Sequence, residues 1–179
     1  MGLLLLSLSA LAIVALIASR VYATRLRSRE FAACARKIAD VSGFSVTLEV
    51  NGKNALFILL AADGSINRMG TGTLDNAEQE LFIGITDNAV FETVRSLLTA
   101  EMWQYLGRTF QSPNPRGAPC KLTILVQCKD GTSNGCAFCY GADSQGPPKF
   151  VADFAIGAVR ETDVWYEDFK RAAGRGKNP

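Results

Sequence analysis

Cysteine is the residue type whose number and spacing most suggest chemistry in this chain. Four of the five cysteines, Cys120, Cys128, Cys136 and Cys139, lie in one segment, and the last two form a C-x-x-C pair. Four thiolates satisfy a tetrahedral zinc site, and a C-x-x-C pair is also typical of dithiol redox centres. Zinc ribbons bring two close pairs, whereas this segment has one. Cys136 begins a predicted strand after a loop, so it lacks a helix N-terminus that would stabilise a thiolate.

The same cysteines fit the buried layer of a sheet. In the predicted strand 120–128, alternation places Cys120 and Cys128 on one face, and pairing of Cys128 with Cys136 would extend that face to the next strand. Cysteine packs as a small buried hydrophobe, so we interpret the cluster as inert core thiols. In an exported protein, a Cys128–Cys136 disulfide is the alternative. We predict no metal, no cofactor and no catalytic residue.

Asp153 is the carboxylate that most suggests catalysis. It lies in a predicted strand at 150–159 and alternates with Val151 and Ala155, so we expect partial burial and a raised pKa. The chain has no histidine, which excludes Ser-His-Asp and Cys-His catalysis and imidazole metal sites. Our alternative hypothesis is therefore a membrane-associated thiol, redox, metal-binding or carboxylate enzyme that uses Cys136 and Cys139, or Asp153.

An apolar segment at residues 3–18, LLLLSLSALAIVALIA, contains no charge. As a helix it rises about 24 Å, close to the roughly 30 Å of a hydrocarbon core once flanking residues extend it. Arg20, Arg25 and Arg27 follow the segment, so the positive-inside rule predicts a single-pass signal-anchor with a cytoplasmic domain. The alternative is an exported domain, anchored or released by signal-peptide cleavage, because residues 21–23 match the small-residue rule before a cleavage site.

The remaining chain predicts an α+β domain. Apolar periodicity and turn signals such as Asn51-Gly52 indicate helices at 28–41, 88–106 and from Thr162 to about 173. They indicate strands at 44–50, 55–62, 65–71, 81–86, 120–128, 136–141 and 150–159. The order α-β-β-β-β-α-β-β-β-α predicts a mostly antiparallel sheet with helices packed on one face. We divide the chain into an anchor with its basic juxtamembrane segment (1–27), a single domain (28–173) and a basic flexible tail (174–179).

The composition is that of a globular domain, with 48% hydrophobic and 20% charged residues. A net charge of +2 argues against nucleic acid as a partner. We predict a membrane-tethered, non-enzymatic module that contacts the bilayer through its anchor and binds a protein or peptide partner of unknown identity near the membrane surface. An open antiparallel edge, or a groove between the helices, would be its binding site.

Overall fold

The computed structural model describes residues 32–72 and 80–175, and the chain divides into two units between Ala39 and Asp40. In the first unit the described residues form one helix, α1, at 32–39. The predicted anchor at 1–27 lies outside the described residues, as do residues 176–179 of the predicted tail. Within the described ranges, no helix has both the length and the apolar character needed to cross a bilayer.

The second unit is an α+β fold with a mostly antiparallel sheet, as the sequence predicts, and this sheet has seven strands. Its elements are β1 Val41–Val50, β2 Lys53–Ala61, β3 Ser65–Met69, β4 Phe82–Ile85, α2 Asn88–Ser96, α3 Ala100–Trp103, β5 Thr109–Gln111, β6 Pro119–Cys128, β7 Ser133–Gly141 and α4 Lys149–Arg175. The strand order is β4-β3-β2-β1-β6-β7-β5. Neighbouring strands pair antiparallel except β5 and β7, which are parallel.

Turn and capping residues act where the sequence places them. Asn51 and Gly52 have φ of 51° and 71°, which is the backbone that a tight turn between β1 and β2 requires. Asp87 caps α2, because its side chain accepts a hydrogen bond from the Ala89 N–H at 2.8 Å. Local chemistry therefore sets the first hairpin and the start of α2.

The main core lies between one face of the sheet and the helices α2 and α4. The ring of Phe44 on β1 stacks on Phe91 of α2 at 5.1 Å and meets the edge of Phe154 of α4 at 5.6 Å. Both helices therefore cover the same face. Each of these side chains is nearly fully buried and contributes roughly 1.5–3 kcal/mol through its removal from water.

The predicted strand at 150–159 is wrong, because these residues form the first third of the 27-residue helix α4. Buried Val151, Phe154, Ala155 and Ala158 recur at helical spacing. A Cβ at Gly157 would lie 2.2 Å from Leu97 Cδ1, so this glycine lets α4 pack closely against the end of α2. Thr162, where the sequence predicts the start of a last helix, is instead buried inside α4 and donates to the Ala158 carbonyl at 2.7 Å.

Two further boundaries differ from the prediction. The predicted helix at 88–106 is divided, because Thr99 starts a separate short helix by accepting from the Met102 N–H at 3.2 Å. Residues 109–111, where the sequence predicts neither a helix nor a strand, form β5, which pairs with β7. The described elements follow the order α-β-β-β-β-α-α-β-β-β-α, which differs from the predicted order by the division of the second helix, and the second half uses a different set of strands.

Candidate functional site

The C-x-x-C pair does not form a two-thiol centre. Cys136 and Cys139 are three residues apart on β7, so their side chains lie on opposite faces of the sheet. Cys136 is buried, and burial raises its pKa to about 11. Cys139 is half-buried on the other face. The two sulfurs therefore cannot bind one metal ion or form a disulfide with each other without rearrangement of the strand.

The strand register also separates Cys128 from Cys136. Cys136 lies opposite Ile124, four residues from Cys128 along β6, and Cys128 lies opposite Val41. At about 3.4 Å per residue this offset is roughly 14 Å, well beyond disulfide reach. All five cysteines are free, and in the described ranges no group of three or more His, Cys, Asp or Glu residues has the arrangement of a metal site.

Cys139 lies where two shallow grooves meet, beside the end of β5. The grooves have volumes of about 180 and 280 Å³ and share Gln111, Cys139 and Tyr140. On the larger groove, Lys121 is the cross-strand neighbour of both Cys139 and Glu49, and its Nζ lies 3.6 Å from Glu49 Oε1. Burial, and to a lesser degree Cys120, raises the pKa of Tyr140. Of the two C-x-x-C thiols, Cys139 is the one that solvent reaches.

Asp153 is a surface residue rather than the partly buried carboxylate that the sequence predicts. It lies in the first turns of α4, is 54% exposed and pairs with Lys149 at 2.5 Å. The expectation of burial was wrong because it depended on a strand at 150–159. Asp153 lies outside both grooves described above, and its ion-pair partner is Lys149.

The edge strand β4 differs from the grooves because some of its backbone groups point out of the sheet. Thr86 N–H donates to the Gly64 carbonyl at 2.9 Å, and Gly84 lies opposite Ile66 on β3. Because antiparallel strands alternate in the direction of their backbone groups, Phe82 and Gly84 bond to β3. The backbone N–H and C=O of Ile83 and Ile85 consequently point away from the sheet, where a further strand would pair.

Large apolar side chains surround these outward backbone groups. Leu81, Ile83 and Ile85 are 46%, 64% and 77% exposed, and Phe169 of α4 is 39% exposed. The ring of Phe169 packs on Phe82 at 6.3 Å, which places it on the same edge. We call these four side chains with strand β4 the β4 edge. Soluble proteins usually protect a sheet edge with charge or proline, and β4 has neither.

Trp165 of α4 fixes the β4 edge in place. Its Nε1 donates to the Ile85 carbonyl at 3.0 Å, and its ring packs on Phe169 at 4.6 Å. A Cβ at Gly84 would lie 2.9 Å from Trp165 Cζ2, so the absence of a side chain at Gly84 is what lets the indole reach across the strand. Trp165 thereby satisfies one outward carbonyl, whereas the outward N–H and C=O of Ile83 have no hydrogen-bond partner among the described residues.

The sheet face opposite α2 and α4, which we call the open face, continues from the β4 edge. Ile83, Asn67, Leu59, Ser45 and Leu125 follow one another across β4, β3, β2, β1 and β6. In the described strands the charged residues of this face are Glu49 and Lys121, which pair with each other. The other edge strand, β5, presents polar, exposed Thr109 and Gln111. Of the two edge strands, β4 is thus the one that presents large exposed apolar side chains.

The sequence indicated an open edge without identifying which one. Its only signal was the segment 81–86, LFIGIT, in which apolar residues occupy both faces of a short strand. The contribution of Trp165 had no local signal, because it lies 80 residues from Ile85. Comparison with protein-family models, with curated proteins and with solved structures returned no match.

Proposed function

We propose that this protein is a membrane-tethered, non-enzymatic module that binds a protein or peptide partner at the β4 edge. The observation that carries the proposal is the combination, at Ile83 and Ile85, of outward backbone groups with highly exposed apolar side chains. A partner in extended conformation would add a strand there, with main-chain hydrogen bonds for affinity and side-chain contacts for specificity.

The β4 edge favours an apolar, extended ligand over a charged one. Its strand has the sequence FIGI, and the open face beside it carries only the paired charges of Glu49 and Lys121 among the described strands. Burial of Ile83 and Ile85 would remove apolar surface from water at about 25 cal/mol per Å². The apolar segment at 3–18 supports the membrane part of the proposal, since it is long enough as a helix to enter a bilayer.

The test is photo-cross-linking in intact cells with a photoreactive amino acid at position 83 of the full-length protein. Position 156 is the matched control, because Ile156 is also an isoleucine with 64% exposure but lies on α4. We expect a discrete protein adduct from position 83 and none from position 156. Ile85→Lys, introduced together with the photoreactive group, should abolish the adduct. Equal adducts from both positions would contradict the proposal.

A further inference from the structure

We infer that the strand that docks on the β4 edge belongs to a second copy of this chain, paired antiparallel about a two-fold axis at Ile83. This inference rests on the proposed function and names the partner of the same site. Homo-oligomers most often form such isologous two-fold interfaces, in which one surface meets itself. The question is therefore whether the β4 edge is self-complementary.

The backbone groups of the β4 edge meet this requirement. Ile83 presents both its N–H and its C=O outward. An antiparallel partner with Ile83 opposite Ile83 would exchange two hydrogen bonds, with each N–H donating to the carbonyl of the other copy. Trp165 already donates to the Ile85 carbonyl, which confines the exposed pair of donor and acceptor to the centre of the strand.

The side chains are also compatible with a two-fold axis. Pairing about Ile83 places each residue near the axis opposite its own counterpart or a close neighbour, so any charge there would repel itself. The strand FIGI carries no charge. Ile83 would face Ile83, and Ile85 would face Leu81, and such apolar cross-strand pairs are favourable in antiparallel sheets.

The interface is small, and the membrane tether makes a small interface sufficient. A four-residue strand buries less than the roughly 1,000 Å² expected of a stable interface in solution. Two copies anchored in one bilayer have a high effective concentration, which strengthens pairing without any new contact. Because a two-fold pair uses both β4 edges, it closes on itself and leaves no edge for a third copy.

The first test is cysteine cross-linking of the purified full-length protein reconstituted into lipid vesicles and treated with a mild copper oxidant. The Cα atoms of a hydrogen-bonded antiparallel pair lie about 5.5 Å apart, within the range of a disulfide. Ile83→Cys should therefore form covalent dimers at least about ten times faster than Ile156→Cys, whose position is equally exposed. The wild-type protein measures the background from native thiols. Equal rates for the two variants would overturn the inference.

The second test introduces opposite charges at position 83 in two separate variants, so that its result does not depend on the folding of a single variant. Ile83→Lys and Ile83→Glu should each reduce dimer formation about tenfold, because like charges would meet at the axis. Vesicles that contain both variants, each with a different fluorophore, should recover energy transfer between copies. Absence of recovery, with both variants folded by circular dichroism, would overturn self-pairing.

The outcome separates the inference from the proposed function. If the wild-type chain remains monomeric in vesicles but position 83 still yields an adduct with a different protein in cells, self-pairing is wrong and the proposed function stands. If neither dimer nor adduct forms, both are wrong. A cell adduct with the mass of two chains, together with the Ile83→Cys dimer, supports both.

Discussion

The guanidinium of Arg68 lies 2.8 Å from the carboxylate of Asp163, although the Arg68 side chain is completely buried. Arg68 also donates to the carbonyls of Gly70 and Val159 and to the hydroxyl of Thr162. Burial lowers the pKa of Arg68, whereas the negative charge of Asp163 acts in the opposite direction. The network joins β3 to α4 and holds α4 over the half of the sheet that ends in β4.

We predict that Arg68→Ala lowers the free energy of unfolding by roughly 3–5 kcal/mol, because it empties a buried site, breaks the ion pair with Asp163 and removes the guanidinium that donates to Thr162 and to the Gly70 carbonyl. Asp163→Asn should cost less, since an amide oxygen can still accept from the guanidinium. Urea unfolding followed by tryptophan fluorescence measures both values. Arg171→Ala, which removes a surface ion pair with Asp168, is the control and should change little. An Arg68→Ala effect as small as that of the control would contradict the structural role.

We predict that Trp165→Phe costs about 1 kcal/mol, because phenylalanine cannot donate to the Ile85 carbonyl. Gly84→Ala should act on the same contact from the strand side, since the new methyl group would occupy the space of the indole. The readout is hydrogen exchange of the Thr86 amide, which bonds to Gly64 and should exchange faster in both variants. Unchanged exchange would show that Trp165 does not stabilise the β4 edge.

The buried thiol of Cys136 predicts a dependence of stability on alkaline pH. Burial raises the Cys136 pKa from 9.0 to about 11. Between these values the unfolded chain loses this proton while the folded chain keeps it, so the unfolding free energy falls as the pH rises. Cys136→Val should remove this part of the decline. Cys139→Val, which removes a half-buried thiol from the same strand, is the matched control for the loss of a cysteine. Parallel profiles for all three proteins would contradict the prediction.

Thiol accessibility gives a prediction about the enzyme hypothesis. Cys120 and Cys136 are buried, whereas Cys128 and Cys139 are half-buried, so a maleimide should modify the second pair first under native conditions. Mass spectrometry of the labelled protein measures the order. Labelling of Cys139 much faster than Cys128 would favour a reactive thiol in the groove beside Lys121, and labelling of Cys136 at a similar rate would contradict the buried position of this residue.

The single-pass anchor with a cytoplasmic domain remains a prediction from the sequence. Arg171→Cys provides a reporter, because the Arg171 side chain is 65% exposed. In intact cells a membrane-impermeant maleimide should leave this cysteine unmodified, and opening of the membrane should expose it. Modification from outside would place the domain on the exported side, as the alternative reading of residues 21–23 requires.

Local patterns in the sequence were sufficient to predict the strands that have one buried face and one exposed face. Phe44, Val46 and Val50 alternate with polar residues, and the turn at Asn51-Gly52 set the first hairpin. The helix at 150–159 was misread because Gly157 and several β-branched and aromatic residues favour a strand locally. Gly157 is required for close packing against Leu97. Such a requirement comes from a residue distant in the sequence, so it cannot be recognised in a window of ten residues.

The candidate site was less predictable than the fold. The bond from Arg68 to Asp163 and the bond from Trp165 to Ile85 each join residues at least 80 positions apart. The residue type alone does not indicate which distant partner an arginine or a tryptophan contacts. The spacing of the cysteines resembles that of zinc and dithiol redox motifs, but the register of β6 and β7 separates Cys128 from Cys136. Register depends on pairing over the whole sheet and cannot be read from the spacing of four residues.

Helix α4 is the last of the described elements, yet it contacts Phe44 on β1, Arg68 on β3 and the Ile85 carbonyl on β4. During synthesis, strands β1 to β4 therefore leave the ribosome long before the helix that covers them. Until α4 has emerged and packed, side chains such as Phe44, which is buried in the folded protein, lack the helix that covers them. A stop codon before Thr162 would remove the contacts that hold the β4 edge and yield a product without a complete core.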